Sequence, residues 1–462
     1  MPHSSFILVL ILTALGLSAC AMDGPRDVPS RTAISSEAVT VPMKRFGASR
    51  PFPSTRSNRE ITRDFLDLAF ILESGRKLPY FSRFERPVTV RVIGTPVPTL
   101  TTDLDRLLVR LREEAGIDIA RLPDGADEPA NITVEAVSRA RIRRELPTAA
   151  CFVVPNVSSL AEYRGARSGS WTELRRRDRV AIFLPADSSP QEVRDCLHEE
   201  LAQALGPLND LYRLPDSVFN DDNVHAVLTG FDMLVLRAWY APELTSGMTR
   251  GQVAERLPAL LARLNPAGER VPPQFIPPTT RAWIDAVQTA LGPGSGAAAR
   301  RNAAARSLQI ARAEGWSDHR LAFSHFALAR MLQANDPNRA IKHLLRADAI
   351  YGSLPGTELH RAFVASQLAA AALGSGRPEL TLELIEPYLP VVRGAENAAL
   401  LATLEMLRAE ALETQGRVVA ARNARLDSLG WARYGYGADW TLQRAPPTLA
   451  TLIKERQLKQ DP

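Results

Sequence analysis

Apolar residues follow one of two spacings along most of the chain, and the places where neither spacing holds divide it into parts. From Ala21 to about Asn58, Pro, Ser, Thr and Arg predominate without an apolar period, so residues 21–58 read as a flexible tether. A helix follows from Glu60 to about Glu73. Val88–Ile93 then alternates apolar and polar positions between Pro87 and Gly94, as a strand does. Leu104, Leu107, Leu108 and Leu111 share one face of a helix that runs to Ala115, and Asn131–Val137 alternates again. Ala150–Pro155 and Val180–Leu184 read as two more strands. Ser189-Pro190 opens a helix with Gln191 and Glu192 in its first turn. Two long helices are expected over Asp222–Tyr240 and Thr249–Leu264. Residues 59–265 thus predict an α+β domain with a mixed sheet.

Residues 266–278 hold five prolines and read as a linker. Beyond them, over residues 279–440, the pattern becomes Ala- and Leu-rich helix with short breaks that recur. Leu291 precedes Gly-Pro-Gly-Ser-Gly, Leu332 precedes Gln-Ala-Asn-Asp-Pro, Leu373 precedes Gly-Ser-Gly-Arg-Pro, and Leu412 precedes Glu-Thr-Gln-Gly-Arg; the spacings are 41, 41 and 39 residues. A period near forty with one helix on each side of each break predicts stacked αα-hairpins. This all-α repeat region resembles the tetratricopeptide-repeat superfamily (TPR-like), with longer units and without most of that family's consensus aromatic and Gly positions. Such an α-solenoid implies a protein or peptide partner on its concave surface. Residues 441–462 form a tail.

The one strongly apolar run, Phe6–Leu17, is too short to cross a bilayer as a permanent helix and reads as the core of a signal peptide over residues 1–20. It ends in Leu17-Ser18-Ala19-Cys20, which resembles the lipobox of bacterial lipoproteins, although no Lys or Arg precedes the run. The resemblance implies acylation of Cys20, and Ala21 after it implies the outer membrane, facing the periplasm. Each buried methylene of the acyl chains contributes about 0.8 kcal/mol to anchoring. Two cysteines then remain, Cys151 and Cys196. In an oxidising compartment they predict one disulfide across about 45 residues, the alternative being two buried thiols. The net charge of +5 does not indicate nucleic acid, because only five of the 56 basic residues are Lys and 51 acids nearly balance them.

The chemistry, if there is any, is concentrated in Cys196-Leu197-His198-Glu199-Glu200-Leu201-Ala202-Gln203-Ala204-Leu205-Gly206-Pro207-Leu208-Asn209-Asp210. At 100° per residue, Leu197, Leu201, Ala204, Leu205 and Leu208 collect on one face, and Cys196, Glu199, Glu200 and Gln203 on the other. Two crowded carboxylates raise one another's proton affinity. The spacing Glu199-Glu200-x-x-Gln203-x-x-Gly206-x-x-Asn209 resembles the metzincin zinc-protease signature, in which His, Glu, His, Gly and His hold those places. Glu200 falls at the general base and Gly206 at the turn, but Glu199, Gln203 and Asn209 replace all three zinc-ligand histidines. The region also resembles a family of uncharacterised secreted proteobacterial proteins whose signature helix reads Glu-Glu-x-x-Gln-x-x-Gly and which has no established activity.

His198 does not restore a zinc site. Ala202 stands at the second His position of His-Glu-x-x-His, and His198 points away from the acids, so it is expected to pack. Glu199, Gln203, Asn209 and Asp210 form an oxygen-rich set suited to a hard divalent metal rather than to zinc, although no cofactor is required. Asn220-Asp221-Asp222 reads as the cap of the following helix, and Met248 stands apart from any metal. Arg139, Arg141 and Arg143 alternate with Ala140 and Ile142 as a basic strand face, with Arg175–Arg177 a second cluster. No Gly-x-Ser-x-Gly or phosphate-binding loop occurs. The sequence therefore reads as an envelope lipoprotein and non-catalytic scaffold: a degenerate metzincin-like domain joined to a binding array. The alternative is a metal-dependent hydrolase with Glu200 as general base.

Overall fold

Residues 41–47, 53–126, 128–165 and 170–437 are described by the computed structural model of the chain. The signal peptide, Cys20, most of the tether and the tail lie outside the described residues. Helix α1 (Asn58–Phe70) starts where Ser57 and Glu60 form a capping box, each satisfying a backbone amide of the other. It buries Ile61, Phe65, Leu68 and Ala69.

A five-stranded sheet follows, in the order β2-β1-β3-β5-β4. Strands β1 (Val88–Gly94), β2 (Ile119–Arg121), β3 (Ile132–Val137) and β5 (Val180–Pro185) run parallel. Helix α2 (Leu100–Ala115) connects β1 to β2 and turns its Leu104, Leu107, Leu108 and Leu111 into the core. In register, Val134 lies between Val92 and Ile182. All six residues of β5 are buried, as expected of a central parallel strand covered on both faces. Strand β4 (Phe152–Pro155) closes the edge antiparallel to β5, with Phe152 opposite Phe183.

The segment with alternating arginines is not a strand. Arg139–Glu145 forms helix α3, because Ser138 caps it by accepting from Arg141 N–H and because so short a helix, about two turns, needs only one inward side chain, Ile142. The basic residues of this segment spread around a helix; Arg139 reaches Glu192 and Ser188, and Arg141 approaches Glu135. A short helix α4 (Leu160–Gly165) precedes β5.

Helix α5 (Pro190–Leu205), capped by Ser189, packs against β5, β4 and α2. Helix α6 spans Gly230–Trp239 and α7 spans Arg250–Leu264. The helix expected from Asp222 thus begins eight residues later, where Thr229 and Asp232 form the capping box; Asp221 and Asp222 cap nothing. Residues 222–229 are instead a loop with buried Val224, Ala226, Val227 and Leu228.

The Pro-rich segment is laid along α1 rather than left free. Pro266–Arg270 forms a short 3-10 turn, Asn58 donates to Asn265 O and Glu269, and Arg63 donates to Ile276 O. Nine helices follow among the described residues: α8 (Arg281–Leu291), α9 (Ala297–Ala313), α10 (His319–Leu332), α11 (Pro337–Gly352), α12 (Glu358–Gly374), α13 (Pro378–Ile385), α14 (Leu389–Gly394), α15 (Ala398–Thr414) and α16 (Val418–Gly435). The four recurring breaks fall inside four helical hairpins, α8/α9, α10/α11, α12/α13 and α15/α16. A 3-10 turn at Glu386–Tyr388, around Pro387, splits the second arm of the third hairpin into α13 and α14.

The first arms α10, α12 and α15 are buried on nearly every side, as a helix apolar all round requires. One of their faces meets the second arms; the other is turned to the α/β region. His319 bonds Tyr212 O (2.7 Å), His360 bonds Asp222 (3.2 Å), and Asn397 accepts from Gln191. Arg194 pairs with Glu396 at 2.9 Å, and Tyr434 of α16 donates to Asp103 of α2 at 2.8 Å. Residues 41–47, read as part of the tether, also belong to this seam: Phe46 stacks on Trp431 at 4.4 Å, and Lys44 N–H donates to Gly430 O.

Candidate functional site

Helix α5 carries the signature residues, and it is fixed from three directions. The disulfide Cys151–Cys196 ties its middle to the start of the edge strand. Arg194 is clamped over Phe46 and Tyr434 while pairing with Glu396. At the C-terminal end, Arg177, with only 1% of its surface exposed, donates to the carbonyls of Gln203, Ala204 and Gly206. A cation there complements both the orphan carbonyls and the negative end of the helix dipole. Burial nevertheless lowers the Arg177 pKa to about 10. Sequence reading placed Arg177 in a surface cluster, and nothing local distinguishes it from Arg175 and Arg176.

Gly206 does not supply a left-handed turn; its backbone is extended. A Cβ at this position would come within 2.9 Å of the Trp239 ring, so the position is small because α6 packs there.

His198 is buried, and its Nδ1 accepts from Leu228 N–H at 3.2 Å. Burial, then Arg194 and Arg110, hold its pKa well below the ordinary value. A neutral imidazole spent on a loop amide has a packing role, as expected. Met248 lies on the far side of α6 in sequence, partly buried against the core, with its carbonyl accepting from Phe81 N–H.

Of the four candidate metal residues, Glu199 lies close enough to Asp210 to raise its proton affinity, and the two amide residues are buried beside them in sequence. Asn209 is buried with its amide donating to Asp67 O, which commits it to α1. Gln203 is buried and its backbone carbonyl is held by Arg177. Among the described residues, no group of three or more His, Cys, Asp or Glu side chains is placed to hold a metal ion. A zinc ion does not fit the donors that stand in the metzincin places, which are one carboxylate and two neutral amides.

What the structure does gather is acid. Glu199 and Glu200 of α5 are joined by Asp210, by Asp221 from the following loop, and by Glu73 from beyond the end of α1: Glu199 and Glu73 raise the proton affinity of Glu200 and Asp210, Asp221 raises that of Glu73, Glu199 and Asp210, and Glu73 and Asp210 share a hydrogen bond. Exposure grades inward: Glu73 and Asp221 are exposed, Glu199 and Asp210 half-buried, and Glu200 buried at 5%. Desolvation and then the neighbouring acids push Glu199 up to about 8 and lift Glu200 and Asp210 well above the usual carboxylate range. Asp195, one turn earlier, is raised by burial to about 7. Glu200 Oε2 and Asp210 Oδ1 are buried without a hydrogen-bond partner among the described residues.

Asp221 is held in place from two sides, accepting from Tyr212 Oη (2.8 Å) and from Gln288 Nε2 (3.3 Å) of α8. The helical array therefore contributes a donor to the acidic cluster. Glu199, Glu200 and Asp210 were legible from the sequence; Glu73 and the true place of Asp221 were not. The signal for Asp221 was an acid-rich loop with no helix immediately after it.

No curated protein matches the chain. Residues 58–259, from the first residue of α1 to within α7, match the model of a family described as a protein of unknown function (DUF2927).

Proposed function

We propose that this chain is a lipid-anchored envelope protein that acts as a non-catalytic binding scaffold, built from a degenerate zincin-like domain clasped by a tetratricopeptide-like array. One observation carries the reading: the side chains around the α5 signature serve the fold. His198 of α5 accepts from Leu228 N–H, Asn209 after the helix donates to Asp67 O, and Arg177 caps the helix end. Burial, and then Glu199 and Glu73, lift the Glu200 carboxyl well above the usual carboxylate range, which disfavours the ionised form that a general base needs. The mixed sheet with an antiparallel edge beside α5 supports the zincin-like frame, and paired helices at a spacing near forty support the repeat reading.

The buried first arms change where a macromolecular partner would dock. Their free face is occupied by the chain's own α/β region, so the partner surface of the array is its outer one. The test is direct. Purified protein is incubated with a mixture of denatured envelope proteins and assayed for cleavage, alongside Glu200→Ala. No cleavage by either protein is expected; cleavage by the wild type that is lost in the variant, with folding intact, establishes the hydrolase instead.

A further inference from the structure

We propose that the acidic cluster of Glu73, Glu199, Glu200, Asp210 and Asp221 is a recognition site for an organic cation, an ammonium or guanidinium group on a small amine or on a Lys or Arg side chain. The inference rests on the non-catalytic reading above and gives that scaffold a ligand class.

The first argument is charge. Elsewhere in the fold, buried acids meet cations: Asp64, fully buried, is within 3.2 Å of Arg56, Arg63 and Arg213, and Asp67 pairs with Arg213 and Arg250. None of the five acids of the cluster has a Lys, Arg or His within salt-bridge distance among the described residues. Arg281, the nearest cation felt by Glu73 and Asp221, is exposed and paired with Asp285. Buried charge without a partner is costly, so such a group either takes up a proton or awaits a counter-charge.

The second argument is Glu200 itself. It is the most buried of the five, 95% enclosed, its Oε2 has no donor among the described residues, and the charges acting on it are those of Glu199, half-buried, and Glu73, exposed. Protonation neutralises the carboxyl but leaves that oxygen without a bond. A cation bearing several N–H donors satisfies both the charge and the orphan acceptors, including Asp210 Oδ1.

The third argument selects the kind of cation. A bare metal ion needs oxygens gathered within about 2.6 Å of one point, and no three acids are so placed. An ammonium or guanidinium group accepts a wider ring, with donor–acceptor distances near 2.9 Å and donors pointing apart.

The test is calorimetric titration of the full chain in detergent at pH 8 with cadaverine, agmatine, the capped tripeptide acetyl-Ala-Lys-Ala-amide and calcium chloride. Saturable binding of a free amine or of the tripeptide is expected, and the two arms tell a small-molecule source from a peptide one. Glu200→Gln should weaken binding at least tenfold while leaving the circular dichroism spectrum unchanged, and Glu73→Gln, at an exposed position, should weaken it less. Binding of calcium alone, or of none of the probes, overturns the proposal. Hydrolysis of the tripeptide under the same conditions would sink the non-catalytic reading and leave the cation site standing, so the two failures are distinguishable.

Discussion

Two sets of acids on the same framework have opposite surroundings. Asp64 and Asp67 lie on α1, Glu73 just past its end, and the Glu199–Glu200 pair on α5. Asp64 is enclosed by three guanidinium groups, while Glu200, nearly as buried, has none. The chain is rich enough in Arg to neutralise both sets, and it does so for one. The first arrangement holds elements together: Arg213 joins the loop after α5 to α1. The second has neutral partners but no cation: Asp221 accepts from Tyr212 and Gln288, and Glu73 and Asp210 share a hydrogen bond. A framework that saturates acids on one side and leaves five unsaturated on the other is one that reserves the second for something outside the chain.

The hardest way to break the contrast is to remove the saturation. Arg213→Met strips a cation from Asp64 and Asp67, two acids that are buried or half-buried, and should cost about 3–5 kcal/mol in urea unfolding. If that variant unfolds like the wild type, the α1 acids are no better satisfied than the cluster acids and the comparison fails. The disulfide comes next. Cys196 lies one turn before Glu200, and replacing both Cys151 and Cys196 by Ser should cost about 2–4 kcal/mol by the same measurement. Because the bond holds α5 against its edge strand under the repulsion of the cluster, the loss should grow as pH rises and the acids ionise. A loss that is the same at pH 5 and pH 8 would mean that the acids place no load on the helix.

The parts of this arrangement that were legible in the sequence are those with local causes. Strands β1, β3, β4 and β5 and helices α2, α5 and α7 follow from apolar spacing and from caps such as Ser189-Pro190. The four hairpins follow from Leu-terminated breaks, since a helix must stop where Gly or Asn-Asp-Pro supplies the turn. Errors arose where distant contacts decided the outcome. Val224, Ala226 and Val227 look like the start of a helix, yet they are loop residues buried in the folded chain, with Val224 in the same apolar cluster as Leu359 of α12. Residues 41–47 lack any period because Phe46 is held by Trp431 and Tyr434, nearly four hundred residues later. Arg139–Arg143 alternate, and over so few residues alternation does not separate a strand from a turn and a half of helix; Ser138 was the better indicator. In the acidic cluster, adjacent Glu199 and Glu200 announced themselves, whereas Glu73 needs the fold to bring it there.

Relief of the repulsion should be measurable as a gain. Glu200→Gln keeps the shape, removes the most buried acid and should raise stability at pH 8, because burial, Glu199 and Glu73 all disfavour the ionised carboxyl in the folded chain. The same change at Asp64 should destabilise, because Asn no longer balances three arginines. Opposite signs for the same acid-to-amide substitution are what the comparison demands, and equal signs would remove its basis.

The smallest effect is the shape of the pH profile, and its sign is fixed by linkage. Glu199 titrates near 8 in the folded chain and near 4.5 in the unfolded one, so between those values the folded state binds more protons and stability falls as pH rises. His319 titrates near 4 when folded, against about 6.5 unfolded, because burial disfavours its charged form. There the unfolded state binds more protons, and stability falls as pH drops from about 6.5 to 4. The acidic cluster therefore sets the alkaline limb and the seam between the array and the α/β region contributes to the acid limb. Glu199→Gln should flatten the first and leave the second in place. His319→Gln should do the converse, keeping a donor near Tyr212 O while removing the charge change. Thermal unfolding across pH 4–9 measures both, and a Glu199→Gln profile that still declines like the wild type would show that the carboxyl group is not under load from its neighbours.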